Sequence, residues 1–249
     1  MKSTQTRFGL QVVWFLAIVL LGPTMALADC SVFSHVTLDL ALGSVAPDPA
    51  TNGGFGLNMW ATVVDRDGVV CAIARTGNPG DQWPGSRVIS AQKANTANAF
   101  SLPGIAISTA NLFSAVQPGG SLFGLQESNP VDTSVAYVGS SATWGTENDD
   151  LVGEKIGGVN VFGGGLALYD ESGLIGAIGV SGDTSCADHV IAWRTREALG
   201  LDDVPAGPNG GFGPGSDDNI IYDVVGSNGN FRSMSGFGHP TCSPASPVP

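Results

Sequence analysis

The stretch GGGLALYDESGLIGAIGVSGDTSCADHVIAWRTREALG, residues 163–200, decides the fold. Two short apolar runs, Leu166–Tyr169 and Leu174–Val180, flank turn-forming residues and predict a β-hairpin. A glycine-containing loop follows, and Thr184 or Ser185 can cap the helix that begins after it. A strand that opens through such a loop onto a helix N-terminus favours binding of an anion or a polar ligand head. The alternative is that the glycines only permit close packing.

A similar hairpin and helix are predicted earlier in the chain. Residues 61–74, ATVVDRDGVVCAIA, form two alternating apolar runs joined at Asp-Gly, which is a strong hairpin signal. Arg75 ends this hairpin, a Gly/Pro-rich loop covers residues 77–85, and a helix is predicted over Ser86–Phe100. Hairpins flanked by helices predict the α+β class, with a central antiparallel sheet built from the hairpins and helices packed against one of its faces.

The first 28 residues have the order of a secretory signal peptide. Lys2 and Arg7 precede a mostly apolar run, and Ala26-Leu27-Ala28 is a small-x-small cleavage site. We therefore expect a periplasmic or secreted protein that starts at Asp29 and has no contact with a membrane after cleavage. A lipid anchor on the following cysteine is not expected, because a charged residue precedes it.

The rest of the chain has the length of one domain with elaborations. We expect that domain at residues 29–202, with a long insertion at about residues 101–155, and a Gly/Pro-rich extension over residues 203–249. A short helix within 105–116, a brief strand at 123–125 and a long surface loop are predicted in the insertion, and one strand at 219–225 is predicted in the extension.

The charge of the chain excludes one class of partner. The formal net charge is −12 at pH 7, and removal of the leader makes it more negative. Nucleic acid is therefore excluded as a partner, because too few basic residues are present to neutralise phosphates. An anionic membrane surface is excluded for the same reason.

Four cysteines predict two disulfides in an exported protein, with three possible connectivities. We favour Cys186–Cys242, because a bridge would anchor a tail that has little means of packing itself. Cys30–Cys71 then follows by elimination, and the alternative is that Cys71 is a free buried thiol. No pair has the C-x-x-C spacing of a zinc or redox site.

Three motifs in order resemble the GlcG/HbpS haem-binding protein family. The first is the D-x-x-G hairpin at Asp65–Gly68, with Arg75 at its end. The second is K-A-x-T-A at residues 93–97, and the third is G-A-I-G-V-S-G at residues 176–182, followed by Asp188. The resemblance implies a small sheet with helices packed on it, a haem cofactor and assembly into a homo-oligomer.

These motifs also contain polar groups in small or apolar surroundings. Lys93 and Thr96 share a stripe of their helix with Ile89, and Arg75 could add a bidentate guanidinium. Such a set suits an apolar ligand that carries carboxylates, such as haem with its propionates. The alternative is that both cations pair with acids at the surface. The candidate cofactor-binding residues are Arg75, Ile89, Lys93, Thr96, Ser181, Gly182 and Trp193.

One histidine is a candidate axial ligand, since haem iron takes His, Met, Cys or Tyr. His189 is favoured because it lies on the helix after the glycine loop, with Trp193 and Arg196 four and seven residues further on. The alternative is a structural histidine. Covalent c-type haem is excluded because C-x-x-C-H is absent.

Two function classes remain open on this evidence. The first is an exported protein that binds haem or another tetrapyrrole, for haem storage, sensing or redox protection. The second is an accessory protein that binds a small organic acid without haem, since members of the resembled family occur with glycolate and diol metabolism. We do not expect an enzyme with catalytic residues of its own, because Gly179-Val180-Ser181-Gly182 departs from the G-x-S-x-G nucleophile pattern. Reaction of bound haem with peroxide is a further possibility.

Overall fold

The computed structural model describes residues 29–210, 216–227 and 230–249. The predicted signal peptide lies outside these ranges. In the part of the chain described, no helix is both long and apolar enough to cross a membrane. The helices and strands are, in chain order, α1 (His35–Val45), α2 (Pro49–Asn52), β1 (Trp60–Asp65), β2 (Val70–Arg75), α3 (Ser86–Phe100), α4 (Leu125–Ser128), α5 (Thr133–Ala136), β3 (Gly165–Asp170), β4 (Gly173–Ser181), α6 (Ser185–Leu199), β5 (Val224–Ser227) and β6 (Asn230–Ser233).

Four strands form the central antiparallel sheet in the order β2-β1-β4-β3. Both predicted hairpins are present: β1 pairs with β2, and β3 pairs with β4. The two hairpins join through β1 and β4, whose register places Trp60 opposite Ser181. This sheet confirms the α+β class.

Helices cover both faces of the sheet, so the expectation of helices on one face is wrong. α3 packs on one face, and α1 and α6 pack on the other. The reason lies in β1, where every residue is buried: Trp60 and Val64 belong to the core beneath α3, whereas Ala61 and Val63 belong to the core beneath α1 and α6. A strand buried on both sides needs cover on both sides.

Glycines let α3 lie very close to the sheet. A Cβ on Gly179 of β4 would overlap the carbonyl oxygen of Ser90 and the amide nitrogen of Ala94. A Cβ on Gly165 of β3 would likewise overlap the carbonyl of Lys93. This close approach brings the Lys93 side chain to the end of β4.

The insertion is more structured than predicted. The expected short helix is two 3-10 turns, at Thr109–Leu112 and Ser114–Val116. The strand predicted at 123–125 is wrong, because the chain turns there and enters α4. The expected surface loop contains α5 and buries Asp149, which forms a 2.5 Å ion pair with Arg87 of α3. That pair ties the insertion to the core.

The C-terminal extension packs against α6. Asp218 accepts from both terminal nitrogens of Arg196 at 2.7 and 2.8 Å, and all of these groups are buried. The predicted strand at 219–225 is displaced: β5 begins at Val224 and pairs with β6 in a separate two-stranded sheet. The extension therefore adds to the packing of one face of the domain.

Both predicted disulfides are present. Cys186, in the first turn of α6, is bonded to Cys242 in the extension, and Cys30 is bonded to Cys71 of β2. No free cysteine is found among the residues described, so the alternative of a free thiol at Cys71 is wrong. The bridges attach the two ends of the described chain to the core.

Candidate functional site

A cavity of about 320 Å³ lies where the start of α3, the end of β4 and the start of α6 meet. The sequence brings these segments together because β4 runs directly into α6 through the loop at residues 182–184, while glycines hold α3 close to the sheet. Its walls combine apolar, hydroxyl and charged side chains. They are Trp83, Ser86, Ile89, Lys93, Phe162, Ser181, Asp183, Ser185 and Asp188.

The base of the cavity is an ion pair between α3 and α6. Lys93 Nζ donates to Asp188 Oδ2 at 2.6 Å and to the carbonyl oxygen of Val180 at 3.0 Å. Asp188 Oδ1 accepts from the backbone amides of Gly182 and Asp183 at 3.1 and 2.8 Å. The sequence left surface pairing open for Lys93. The structure gives it an acidic partner, but in the interior, where the lysine is 1% exposed.

Burial controls the protonation of this pair. Loss of hydration raises the pKa of Asp188 to about 6, although the ammonium of Lys93 and the amide donors act in the opposite direction. Loss of hydration also lowers the pKa of Lys93, against the attraction of the carboxylate. Asp188 therefore takes up a proton at a higher pH than an ordinary aspartate does.

Two hydroxyl side chains line this cavity without a partner among the described residues. They belong to Ser86, the first residue of α3, and Ser181, the last residue of β4, which are 3% and 4% exposed as whole residues. Neither hydroxyl oxygen is among the fully buried atoms that lack a partner, so both keep access to the cavity and are available to a ligand. No side chain caps the start of α3, where the N-cap residue is Gly85.

The rim of the cavity is apolar and unusually exposed. Trp83 and Phe162 are 50% and 47% exposed, and Ile89, which also lines the cavity, is half-buried. Large apolar side chains that surround a polar base are a common feature of small-molecule sites. The arrangement suits a ligand with an apolar body and a polar end.

The structure brings together only some of the predicted site residues. Ile89, Lys93 and Ser181 line the cavity, and Gly182 lies beside it through its hydrogen bond to Asp188. Thr96 lies one turn beyond Lys93, where its hydroxyl donates to the carbonyl of Gln92 and accepts from the amide of Asn160. Thr96 therefore holds the segment before β3 and does not face the cavity.

Arg75 and Trp193 lie elsewhere. Arg75 lines a separate cavity on the other side of the loop at residues 77–85. Trp193 packs against the core beneath α1 and α6, with its Nε1 donating to Glu197 at 2.9 Å and its ring under the guanidinium of Arg196. Arg75 and Lys93 therefore line different cavities.

His189 is enclosed by the extension. Its ring is fully buried, and Nε2 lies 3.1 Å from the amide nitrogen of Ile220 and 3.2 Å from Oδ1 of Asn219. Burial lowers the pKa of His189 to about 4, so the ring is neutral near pH 7. Nδ1 has no hydrogen-bond partner. The histidine does not line the cavity at Lys93.

Sequence reasoning missed the partner of Lys93 and most of the rim. Asp188 was recognised as part of a motif, but nothing in the chain signals that an acid 95 residues away faces Lys93. A lysine on a helix face of small residues, with no acid three or four positions away, was the one available hint. Trp83 and Phe162 lie in loops, where no periodicity marks them.

The cavity and fold can be compared with known proteins. Residues 40–197 match the family model described as haem degrading protein HbpS-like. No curated protein matches the chain. Among solved structures, ORFY of Klebsiella pneumoniae is 24% identical, with a TM-score of 0.48, over 73% of this chain and 97% of that chain.

Two further solved structures are similar. A haem complex of PduOC is 25% identical over 67% of this chain and 94% of that chain, with a TM-score of 0.45. A double mutant of Streptomyces reticuli HbpS is 14% identical over 76% of this chain and 98% of that chain, with a TM-score of 0.42. The family model covers well over half of the chain, including both hairpins, α3 and most of α6. The chain belongs to the HbpS-like family.

Proposed function

We propose that this protein binds haem, or another tetrapyrrole, at the cavity over the Lys93–Asp188 pair. The observation that carries the proposal is the combination of an exposed apolar rim with two hydroxyls that face the cavity and have no partner among the described residues. Membership of a family described as haem degrading supports the choice of ligand. The proposal concerns binding, which storage, sensing, redox protection and degradation all require.

The lining residues fit two parts of a haem. Trp83, Ile89 and Phe162 offer the flat and aliphatic contacts that a macrocycle needs. Ser86 and Ser181 can donate to a propionate. The volume of about 320 Å³ is at the small end for ligand sites, so one edge of a tetrapyrrole enters and the other stays at the rim.

The lining residues offer no iron ligand. None of the nine is a His, Met, Cys or Tyr, the types that hold haem iron. His189 does not reach this cavity, because Asn219 and Ile220 contact its Nε2, and its Nδ1, which has no partner among the described residues, is buried. Binding at this cavity therefore rests on contacts with the macrocycle and its carboxylates.

The proposal includes export and self-association. Export is supported by the order of basic, apolar and small residues at the N-terminus and by two disulfides. A closed homo-oligomer is supported by apolar side chains at Val36 and Leu40 of α1, which are 60% and 68% exposed. Light scattering at micromolar concentration should give a mass of at least two chains, and a monomeric mass would contradict this part.

A haemin titration of the purified chain tests the binding proposal. The natural chain should give a saturable Soret band at one haem per chain. Ile89→Trp, which fills the cavity, should weaken binding at least tenfold. Leu102→Trp, a substitution of similar size at an exposed position just beyond the far end of α3, is the matched control and should bind as the natural chain does. Equal haemin affinity of Ile89→Trp and the natural chain would show that haem does not bind in this cavity.

A further inference from the structure

A second cavity, of about 290 Å³, lies between the end of β2, the loop at residues 77–85 and the insertion. Its walls are mainly the rings of Trp60, Trp144, Pro79 and Pro84, and its polar groups include Arg75 and Gln82. No acidic residue lines it. The nearest acid in the loop, Asp81, has one carboxylate oxygen bound to Asn78.

The guanidinium of Arg75 is held in place and left partly free. Its Nε donates to the carbonyl of Trp144 at 3.1 Å and its Nη1 to the carbonyl of Gly77 at 2.7 Å. Gly145 packs on its aliphatic stem, so a Cβ there would collide with Arg75 and Trp60. Nη2 makes no hydrogen bond with any residue described, and no carboxylate in that part of the chain forms an ion pair with Arg75. A fixed guanidinium with one unbonded nitrogen can donate to a carboxylate.

Gln82 supplies a hydrogen-bond acceptor to this cavity. The side chain is 6% exposed, and its Nε2 donates to the backbone carbonyls of Thr76 and Asn78. Those two bonds fix the amide orientation, because only the nitrogen can donate. Its Oε1 accepts no hydrogen bond within the described ranges and remains open to a donor.

We propose that this second cavity binds a small carboxylic acid that has an apolar body and a hydroxyl or ammonium group next to the carboxylate. Arg75 pairs with the carboxylate, Gln82 Oε1 accepts from the adjacent donor, and the tryptophan and proline rings contact the body. In a chain of net charge −12, an anion binds only where a local cation outweighs the overall repulsion, and Arg75 is such a cation. The inference goes beyond the haem proposal and does not rest on it.

Calorimetric titration of the full chain with four probes tests this. 3-Phenyllactate and L-phenylalanine carry the carboxylate and the donor, 3-phenylpropionate lacks the donor, and 2-phenylethanol lacks the carboxylate. We expect one of the first two to bind at least tenfold more tightly than 3-phenylpropionate, and 2-phenylethanol to bind most weakly. Which of the two binds better distinguishes a hydroxy acid from an amino acid. Equal binding of the three acids, or none at millimolar concentration, would overturn the proposal.

Variants locate the binding. Arg75→Gln should weaken binding of the best probe ten- to a hundredfold, the usual loss for a charged hydrogen-bond partner. Arg194→Gln is the matched control, because Arg194 is also held by a backbone carbonyl but lies in a different part of the surface. Ser141→Trp, at an exposed position of the rim, should block the cavity while keeping the fold, as checked by circular dichroism. Binding unchanged in both cavity variants would place the ligand elsewhere.

Discussion

Lys93 Nζ lies 2.6 Å from Asp188 Oδ2, and both side chains are buried at the end of β4. The pair connects α3, on one face of the sheet, with α6, on the other. A connection of this kind sets the position of the middle of α3 and the first turn of α6 relative to one strand end. The same pair forms the base of the candidate haem cavity, so its energetics bear on both stability and binding.

The pair can be tested by a double-mutant cycle. Lys93→Met leaves a buried carboxylate without its cation and should lower the free energy of unfolding by about 3–5 kcal/mol. Asp188→Asn leaves a buried ammonium without its anion and should also lower the free energy of unfolding. The double variant should be more stable than the sum of the two losses predicts, because neither charge remains unpaired. Urea unfolding measures all four chains, and strictly additive losses would contradict a direct coupling.

The stability of the chain should depend on pH through Asp188. Burial raises its pKa from 3.8 to about 6, so the folded state holds this proton more tightly than the unfolded state does. The resulting stabilisation is fully present below about pH 4 and is lost as the pH rises through about 6. The free energy of unfolding of the natural chain minus that of Asp188→Asn, which cannot titrate, should fall across this window. A difference that rises with pH would show that Lys93 outweighs burial.

The packing of α3 can be probed at one glycine. Gly179→Ala should lower the free energy of unfolding by about 1–3 kcal/mol or more, because its Cβ would overlap the backbone of Ser90 and Ala94. Gly43→Ala is the matched control. It lies in α1 with no atom near its added Cβ, and should raise stability by about 0.5–1 kcal/mol. Thermal or urea unfolding compares the two, and an equal effect would contradict the close approach of α3.

The bridge between α6 and the extension should be a major source of stability. Cys186 and Cys242 are 56 residues apart, and closing such a loop is worth about 4 kcal/mol in the chain-entropy model. The double variant Cys186→Ala, Cys242→Ala should lose most of this in urea unfolding. Peptide mapping without reductant should recover the two cysteines of the natural chain in one linked fragment. Free thiols at both positions would contradict the assigned pairing.

The sheet and its two hairpins could be predicted from sequence because their signals are local. Asp-Gly between alternating apolar runs specifies a turn, and Ser86–Phe100 is a helix with the predicted ends. The presence of helices on both faces of the sheet could not be predicted as easily. The sequence does not indicate which face of the sheet small residues such as Ala61 and Ala74 occupy.

The site was predicted only in part, for a physical reason. Motifs identify Lys93 and Ser181, and Ile89 shares a helix stripe with Lys93, but the assembly of the three depends on contacts between residues far apart in the chain. The alternating pattern places Arg75 at the end of β2. The insertion contributes Trp144, which contacts Arg75 and lines with it a cavity separate from the one at Lys93. Loops that pack by irregular contacts leave no period in the sequence.

The position of the iron in crystals of the haem complex tests the central claim most directly. Anomalous scattering at the iron edge locates the metal without any assumption about the ligands. The account predicts one peak per chain at the rim formed by Trp83, Ile89 and Phe162, with the carboxylates directed towards Ser86 and Ser181. A peak at His189 behind the extension, or in the cavity of Arg75, would contradict it.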